Sequence, residues 1–91
     1  MAEIEIDALD DETYQVVVRE KGQATEHRVT VTEEHRKRYG GGASAEDLLE
    51  ESFRFLLERE PKEAILASFE LPVIERYFPE YPDRIGRRLD G

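Results

Sequence analysis

Few side chains in this sequence are of a type that could bind a metal ion or carry out catalysis. The two histidines, His27 and His35, are eight residues apart, and Glu33 and Glu34 precede the second one. Two histidines and a carboxylate can form a metal site, although this spacing matches no ligand motif. The absence of cysteine excludes disulfides, thiolate metal sites and cysteine nucleophiles. A metal-dependent enzyme is therefore the weakest alternative, and no metal, cofactor or catalytic residue is predicted.

The serines and the glycine run also have structural explanations. Ser44 fits a helix cap, while Ser52 and Ser68 lie in helical patterns where a hydroxyl bonds back to the main chain. Residues 40–42 are three glycines before a helix N-terminus, which is a position that can bind phosphate. No Lys-Ser or Lys-Thr follows them, and the acidic first turn at Glu46 repels anions. We interpret the glycines as a hinge and predict that the protein is not an enzyme.

The length and net charge of the chain limit the kinds of partner that it is expected to bind. The chain has 91 residues, of which 38% are charged, and a formal net charge of −9, so we expect one domain, 1–91, with an acidic surface. This charge repels duplex nucleic acid and favours a protein partner. The N-terminus lacks the basic and apolar regions of a signal peptide, and no apolar run approaches the ~18 residues that span a membrane. We therefore expect a cytoplasmic protein that makes no membrane contact.

The N-terminal third has the period of a β-sheet. Residues 3–8, 13–20 and 25–32 alternate apolar and polar side chains or are rich in β-branched types, and short turns separate them. Short connections favour antiparallel neighbours, which makes residues 1–32 a three-stranded meander. His27 shares the parity of the inward valines Val29 and Val31.

The remaining residues, 33–91, have helical patterns. The predicted segments are 33–39, capped by Thr32; 44–60, with a leucine and phenylalanine stripe; 61–70; 72–78; and a frayed basic end within 82–91. The fold class is therefore α+β, with a three-stranded antiparallel β-meander followed by two to three helices packed on one sheet face. The predicted core is Ile4, Ile6, Tyr14, Val16, Val18, Val29, Val31, Leu49, Phe53, Leu56, Ile65, Phe69 and Phe78.

An aromatic segment near the C-terminus supplies the leading functional hypothesis. Tyr77, Phe78 and Tyr81 are interleaved with prolines in an otherwise polar region, and aromatic anchors dominate protein interfaces. Closing the small core is the alternative role for these rings. We expect a small interaction or regulatory protein whose partner is another protein or a second copy, as a monomer or homodimer.

Residues 28–60 resemble a ribbon-helix-helix DNA-binding module, the type found in small repressors and antitoxins. The resemblance consists of the alternating segment 28–32, a first helix over 33–39 and a second over 44–59. It implies a dimer whose outward ribbon residues Arg28, Thr30 and Thr32 read the major groove. The adjacent basic run adds candidate nucleic-acid contacts at Arg36, Lys37 and Arg38. This is the main alternative function.

The whole-chain pattern resembles small uncharacterised prokaryotic proteins that have an N-terminal meander. The segments that carry this second resemblance are 60–66 and 71–81. Such proteins have no assigned activity, so the resemblance implies none.

Overall fold

Four strands and four helices form the chain, whose computed structural model describes residues 2–90. The strands are β1 (Glu3–Ala8), β2 (Thr13–Glu20), β3 (Gln23–Thr30) and β4 (Ser68–Glu70). The helices are α1 (Glu33–His35, continued by a π-helical turn, Arg36–Gly40), α2 (Ala45–Leu57), α3 (Val73–Tyr77) and α4 (Tyr81–Asp90), with a 3-10 turn at Lys62–Ala64. The Cα radius of gyration is 12.1 Å, close to the value of about 12 Å expected for one domain of this length.

The predicted antiparallel meander is confirmed, and its register places the apolar residues on one face. Ile4 lies opposite Val18, and Val16 lies opposite His27. A two-residue hairpin turn joins β2 to β3, with Lys21 at φ 55° and Gly22 at φ 77°. Positive φ at both central positions is the turn geometry that matches strand twist, and glycine adopts it without steric cost.

The sheet has four strands rather than three, because the predicted 61–70 helix is wrong. Ser68–Glu70 pairs in parallel with β3, so that Val29 lies opposite Phe69. The backbone N–H of Arg28 donates to the carbonyl of Ala67 at 2.8 Å, and the N–H of Leu71 donates to the carbonyl of Thr30 at 3.0 Å. These bonds pair backbone N–H and C=O groups at the edge of β3 that would otherwise lack partners. Helix propensity reflects only the local sequence and takes no account of this long-range pairing.

One face of the sheet carries the helices and the core. Every predicted core residue is buried except Ile4, Ile6 and Phe78, which are partly buried against the core. The helix stripe is confirmed, because Leu48, Leu49, Phe53 and Leu56 of α2 are buried. Ser44 caps this helix by accepting from the N–H of Asp47 at 3.1 Å. The opposite face of the sheet is polar, as a half-solvated antiparallel sheet permits.

The basic end of the chain, where the sequence predicts a frayed segment within 82–91, forms the helix α4 up to Asp90, and Gly91 lies outside the described residues. Tyr81 and Ile85 in α4 are four positions apart and fully buried. Arg88 of the same helix forms ion pairs with Glu51 and Glu58 of α2 and its C-terminal cap. Two apolar anchors on one helix face, together with these ion pairs, fix α4 against α2.

Candidate functional site

An apolar groove of about 300 Å³ opens where the end of α2, the 62–67 segment, β4 and α3 meet. This volume is at the lower end of the range of about 300–1,000 Å³ for ligand pockets. Leu56, Ile65, Phe69 and Ile74 are buried residues that line it. Each comes from a different part of this junction, so the groove exists only when β4 and α3 are in place.

The rim of the groove is unusually apolar. Within residues 2–90, the large hydrophobic side chains that are exposed are Leu9 at 49%, Leu66 at 44% and Tyr77 at 66%. Leu66 and Tyr77 both line the groove, together with half-buried Phe78. A concavity edged by exposed apolar side chains is typical of a binding surface, whereas scattered single ones are not informative.

A buried histidine holds the Leu66 side of the groove on the sheet. Nδ1–H of His27 donates to the Leu66 carbonyl at 2.8 Å, since a carbonyl oxygen can only accept. Nε2 of the same ring lies 2.8 Å from the Thr25 hydroxyl, within hydrogen-bonding distance. The ring also packs against Phe53, with centroids 5.4 Å apart. His27 is therefore a positioning residue that fixes where Leu66 projects.

A second polar network holds α3, which forms the opposite wall. The Tyr39 hydroxyl donates to Oε1 of Glu75 at 2.6 Å, and Arg38 donates to the same oxygen at 3.0 Å. Burial, followed by the hydrogen bond to Glu75, raises the pKa of Tyr39 to about 12. Tyr39 therefore stays a neutral donor at physiological pH and ties the π-helical turn to α3.

Glu60 is the charged residue among those that line the groove. It is half-buried, and within residues 2–90 its carboxylate has no hydrogen bond or ion pair. The neighbouring cations are engaged, because Arg59 pairs with Glu80 at 3.1 Å and Lys62 pairs with Glu63 at 2.9 Å. Burial raises the pKa of Glu60, as expected for a carboxylate that loses hydration without gaining a partner.

The predicted aromatic surface is divided between the groove and the core. Tyr77 is exposed and Phe78 is half-buried, and both line the groove. Tyr81 is fully buried, so its prediction as a surface residue is wrong. Its hydroxyl lies 2.7 Å from Oγ of Ser52. The sequence pattern could not separate these roles, because the burial of Tyr81 depends on α4 being a packed helix.

The six candidate nucleic-acid contacts lie in different environments. Both edges of β3 are occupied, by β2 and by β4, so β3 offers no free edge for the strand of a second copy. Arg28 is exposed on the polar face of the sheet and Thr30 is half-buried there. Thr32 caps α1, where its hydroxyl accepts from the N–H of His35 at 3.1 Å. The basic run after it comprises Arg36, which is exposed, Lys37, paired with Glu33, and Arg38, paired with Glu75.

The candidate metal-ligating residues do not come together in the structure. Within residues 2–90, no three His, Asp or Glu side chains come close enough to hold a metal ion together. His27 lies in the core and His35 belongs to the α1 cap. In the same part of the chain, no helix has the length and apolar character needed to cross a bilayer.

Two groove residues, Glu60 and Leu66, were not predicted as site residues. The sequence predicts Glu60 at the end of the 44–60 helix and Leu66 within the 61–70 helix, which the structure replaces with a turn and a strand. The polar–apolar–polar alternation of Ser68, Phe69 and Glu70 was the available sequence signal, because it is the pattern of a short strand with Phe69 inward.

The chain matches no protein-family model, no curated protein and no solved structure. The function of the chain is therefore inferred from the geometry of the groove.

Proposed function

We propose that this protein is a non-enzymatic interaction or regulatory protein that binds an apolar segment of another protein in the groove edged by Leu66, Tyr77 and Phe78. The observation that carries the proposal is the convergence of exposed Leu66 and Tyr77 on one concavity with a buried apolar lining. Removing exposed apolar side chains from water makes the free energy of binding more favourable.

The size of this gain indicates a weak, reversible complex. Burying a side chain of this size from full exposure contributes roughly 1.5–3 kcal/mol. Leu66 and Tyr77 are partly exposed, at 44% and 66%, so covering them contributes roughly 0.7–1.3 kcal/mol for Leu66 and roughly 1–2 kcal/mol for Tyr77. Association itself costs at least about 4 kcal/mol. The partner must therefore insert its own apolar side chains into the groove, and we expect dissociation constants in the micromolar range or weaker.

A different protein suits the groove better than a second copy does. Two copies would each bring a net charge of −9, and a two-fold interface over the groove would place the two Glu60 carboxylates in the same desolvated region. Like charges in such an interface are costly. A partner with the opposite charge meets no such penalty.

The test measures binding of amphipathic peptides of about 15 residues that carry Leu or Phe anchors at helical spacing. Titration into the isotope-labelled protein is followed by NMR, and we expect shifts confined to residues that line the groove. Tyr77→Ala should weaken binding roughly tenfold, the factor that corresponds to the roughly 1–2 kcal/mol contributed by covering this side chain. Leu9→Ala is the matched control, because Leu9 is similarly exposed on the β1–β2 turn outside the groove.

Three outcomes contradict the proposal. Peptides that shift no groove resonance at millimolar concentration would remove it, and so would equal weakening by Leu9→Ala. A dimer detected by light scattering that Tyr77→Ala dissociates would replace the partner protein with a second copy.

A further inference from the structure

We infer that the bound segment carries a lysine or arginine beside its apolar anchor, and that Glu60 is the residue that pairs with it. The inference rests on the proposed function and specifies the chemistry of its partner. Its starting point is the position of one carboxylate in a groove whose other lining side chains are uncharged.

The carboxylate of Glu60 lacks a compensating charge from its own chain. Within residues 2–90 it makes no ion pair, and the adjacent cations Arg59 and Lys62 are held by Glu80 and Glu63. Arg59 is further fixed by stacking over the Phe55 ring, with its guanidinium carbon 3.6 Å from the centroid. A half-buried charge without a partner costs free energy. An incoming cation recovers part of that cost, which makes the unpaired carboxylate a recognition element.

The backbone next to Glu60 favours the same charge. Glu60 follows the C-terminus of α2, which ends at Leu57 with Glu58 as its cap. The last carbonyl groups of a helix carry partial negative charge, and cations are stabilised there. The net charge of −9 attracts a basic segment from a distance as well. The Glu60 carboxylate, the C-terminal end of α2 and the net charge of the chain are therefore all negative, and all three favour a cation.

An ordinary structural role for Glu60 is poorly supported by its surroundings. A carboxylate retained for stability normally has an ion pair or a hydrogen bond, as Glu58 has with Arg88. Burial instead raises the pKa of Glu60, so in the free protein the charged form is disfavoured by folding. Replacing Glu60 with neutral glutamine should therefore leave the unfolding midpoint unchanged or higher.

A peptide fits the groove better than a small organic amine would. A compact amine could satisfy Glu60 and part of the lining. It would leave the exposed portions of Leu66 and Tyr77, at 44% and 66%, largely uncovered. A segment with two apolar anchors covers both sides of the rim and still places a cation near the end of α2.

The experiment is a double-mutant cycle between protein and peptide. The first probe is an amphipathic peptide with lysine next to the anchor, and the second has glutamine at that position. Each is titrated into the full chain, into Glu60→Gln, and into the charge-matched control Glu34→Gln. Glu34 is exposed in the first turn of α1 and does not line the groove.

We expect the lysine peptide to bind the natural chain about tenfold more tightly than the glutamine peptide, the factor that corresponds to about 1.4 kcal/mol. Glu60→Gln should abolish this preference and leave the glutamine peptide unaffected. Glu34→Gln should retain it. An unfolding midpoint for Glu60→Gln that is not below that of the natural chain shows that the loss is not one of folding.

The remaining outcomes separate the two proposals. If both peptides bind equally to the natural chain and to Glu60→Gln, the inference fails and the proposed function stands. If neither peptide binds, the proposed function fails with it. If phenethylammonium binds in the groove more tightly than the lysine peptide and depends on Glu60, the occupant is a small cation and the inference is overturned.

Discussion

The hydroxyl pair between α2 and α4 yields a prediction with an unusual order of effects. Ser52 and Tyr81 are both fully buried, and their oxygens are 2.7 Å apart. The Ser52 hydroxyl lies 2.6 Å from the carbonyl of Leu48, which can only accept. The Ser52 hydroxyl therefore donates its one hydrogen to the Leu48 carbonyl, and the Tyr81 hydroxyl must be the donor to Ser52.

Removing either partner has different consequences. In Ser52→Ala, the Tyr81 hydroxyl remains buried without an acceptor, which costs about 1–3 kcal/mol. In Tyr81→Phe, Ser52 keeps its bond to Leu48, so the expected cost is that of one hydrogen bond, about 0.5–1.5 kcal/mol. Each variant removes one hydroxyl oxygen, and its removal from Ser52 is thus the more damaging change. Adding Tyr81→Phe to Ser52→Ala removes the unpaired hydroxyl, so the double variant should be no less stable than Ser52→Ala alone.

Equilibrium unfolding in urea, followed by circular dichroism, measures these differences directly. A difference of 1 kcal/mol corresponds to about 4–8 °C in the melting temperature of a domain of this size. Tyr81→Ala serves as the upper limit, since emptying a buried aromatic site costs about 3–5 kcal/mol. The donor assignment would be refuted if Tyr81→Phe were as destabilising as Ser52→Ala, or if the two effects were additive.

Two further predictions concern charge and the groove wall. The hydrogen bond from Arg88 lowers the pKa of Glu58. The stabilisation that this ion pair contributes is therefore present above the ordinary carboxyl pKa of about 4.3 and is lost as pH falls through the lower folded value. Glu58→Gln should lower stability at pH 7 and match the natural chain in strong acid, and a constant difference across an acid titration would contradict this. His27→Phe keeps an aromatic ring but leaves the Thr25 hydroxyl and the Leu66 carbonyl without their buried partner. We therefore expect the free energy of unfolding to fall by about 1–3 kcal/mol and amide exchange around Leu66 to become faster. Unchanged exchange there would show that His27 does not hold the groove wall in place.

Much of the fold could be predicted because its signals are local. The alternation in 3–8 and 13–20 and the stripe in 44–60 record directly which side of each element is buried. The 61–70 segment was assigned wrongly, because Pro61 and the alanines have the composition of a helix start while the strand at Ser68–Glu70 depends on the open edge of β3. Pairing between distant segments leaves no local period in the sequence.

The site was predicted only in part, for a related reason. Tyr77 and Phe78 were identified by their residue type and lie at the groove. Tyr81, of the same type, is buried because Ile85 and the ion pairs of Arg88 dock α4 on α2. Glu60 could not be identified from the sequence, since an unpaired carboxylate is defined by what surrounds it in space.

The parallel strand β4 has a consequence for the order in which the molecule assembles. Val29 pairs with Phe69, a residue 40 positions later, whereas the meander strands are joined by short turns. Closing the longer loop costs more chain entropy and favours late formation. The meander and α2 can therefore fold first, with the groove completed when β4 docks. β4 is an edge strand of three residues, so local breaking of its hydrogen bonds to β3 would remove one wall of the groove while the rest of the sheet stays paired. Partner binding should then appear as protection of β4 from hydrogen exchange, with β1 and β2 unaffected.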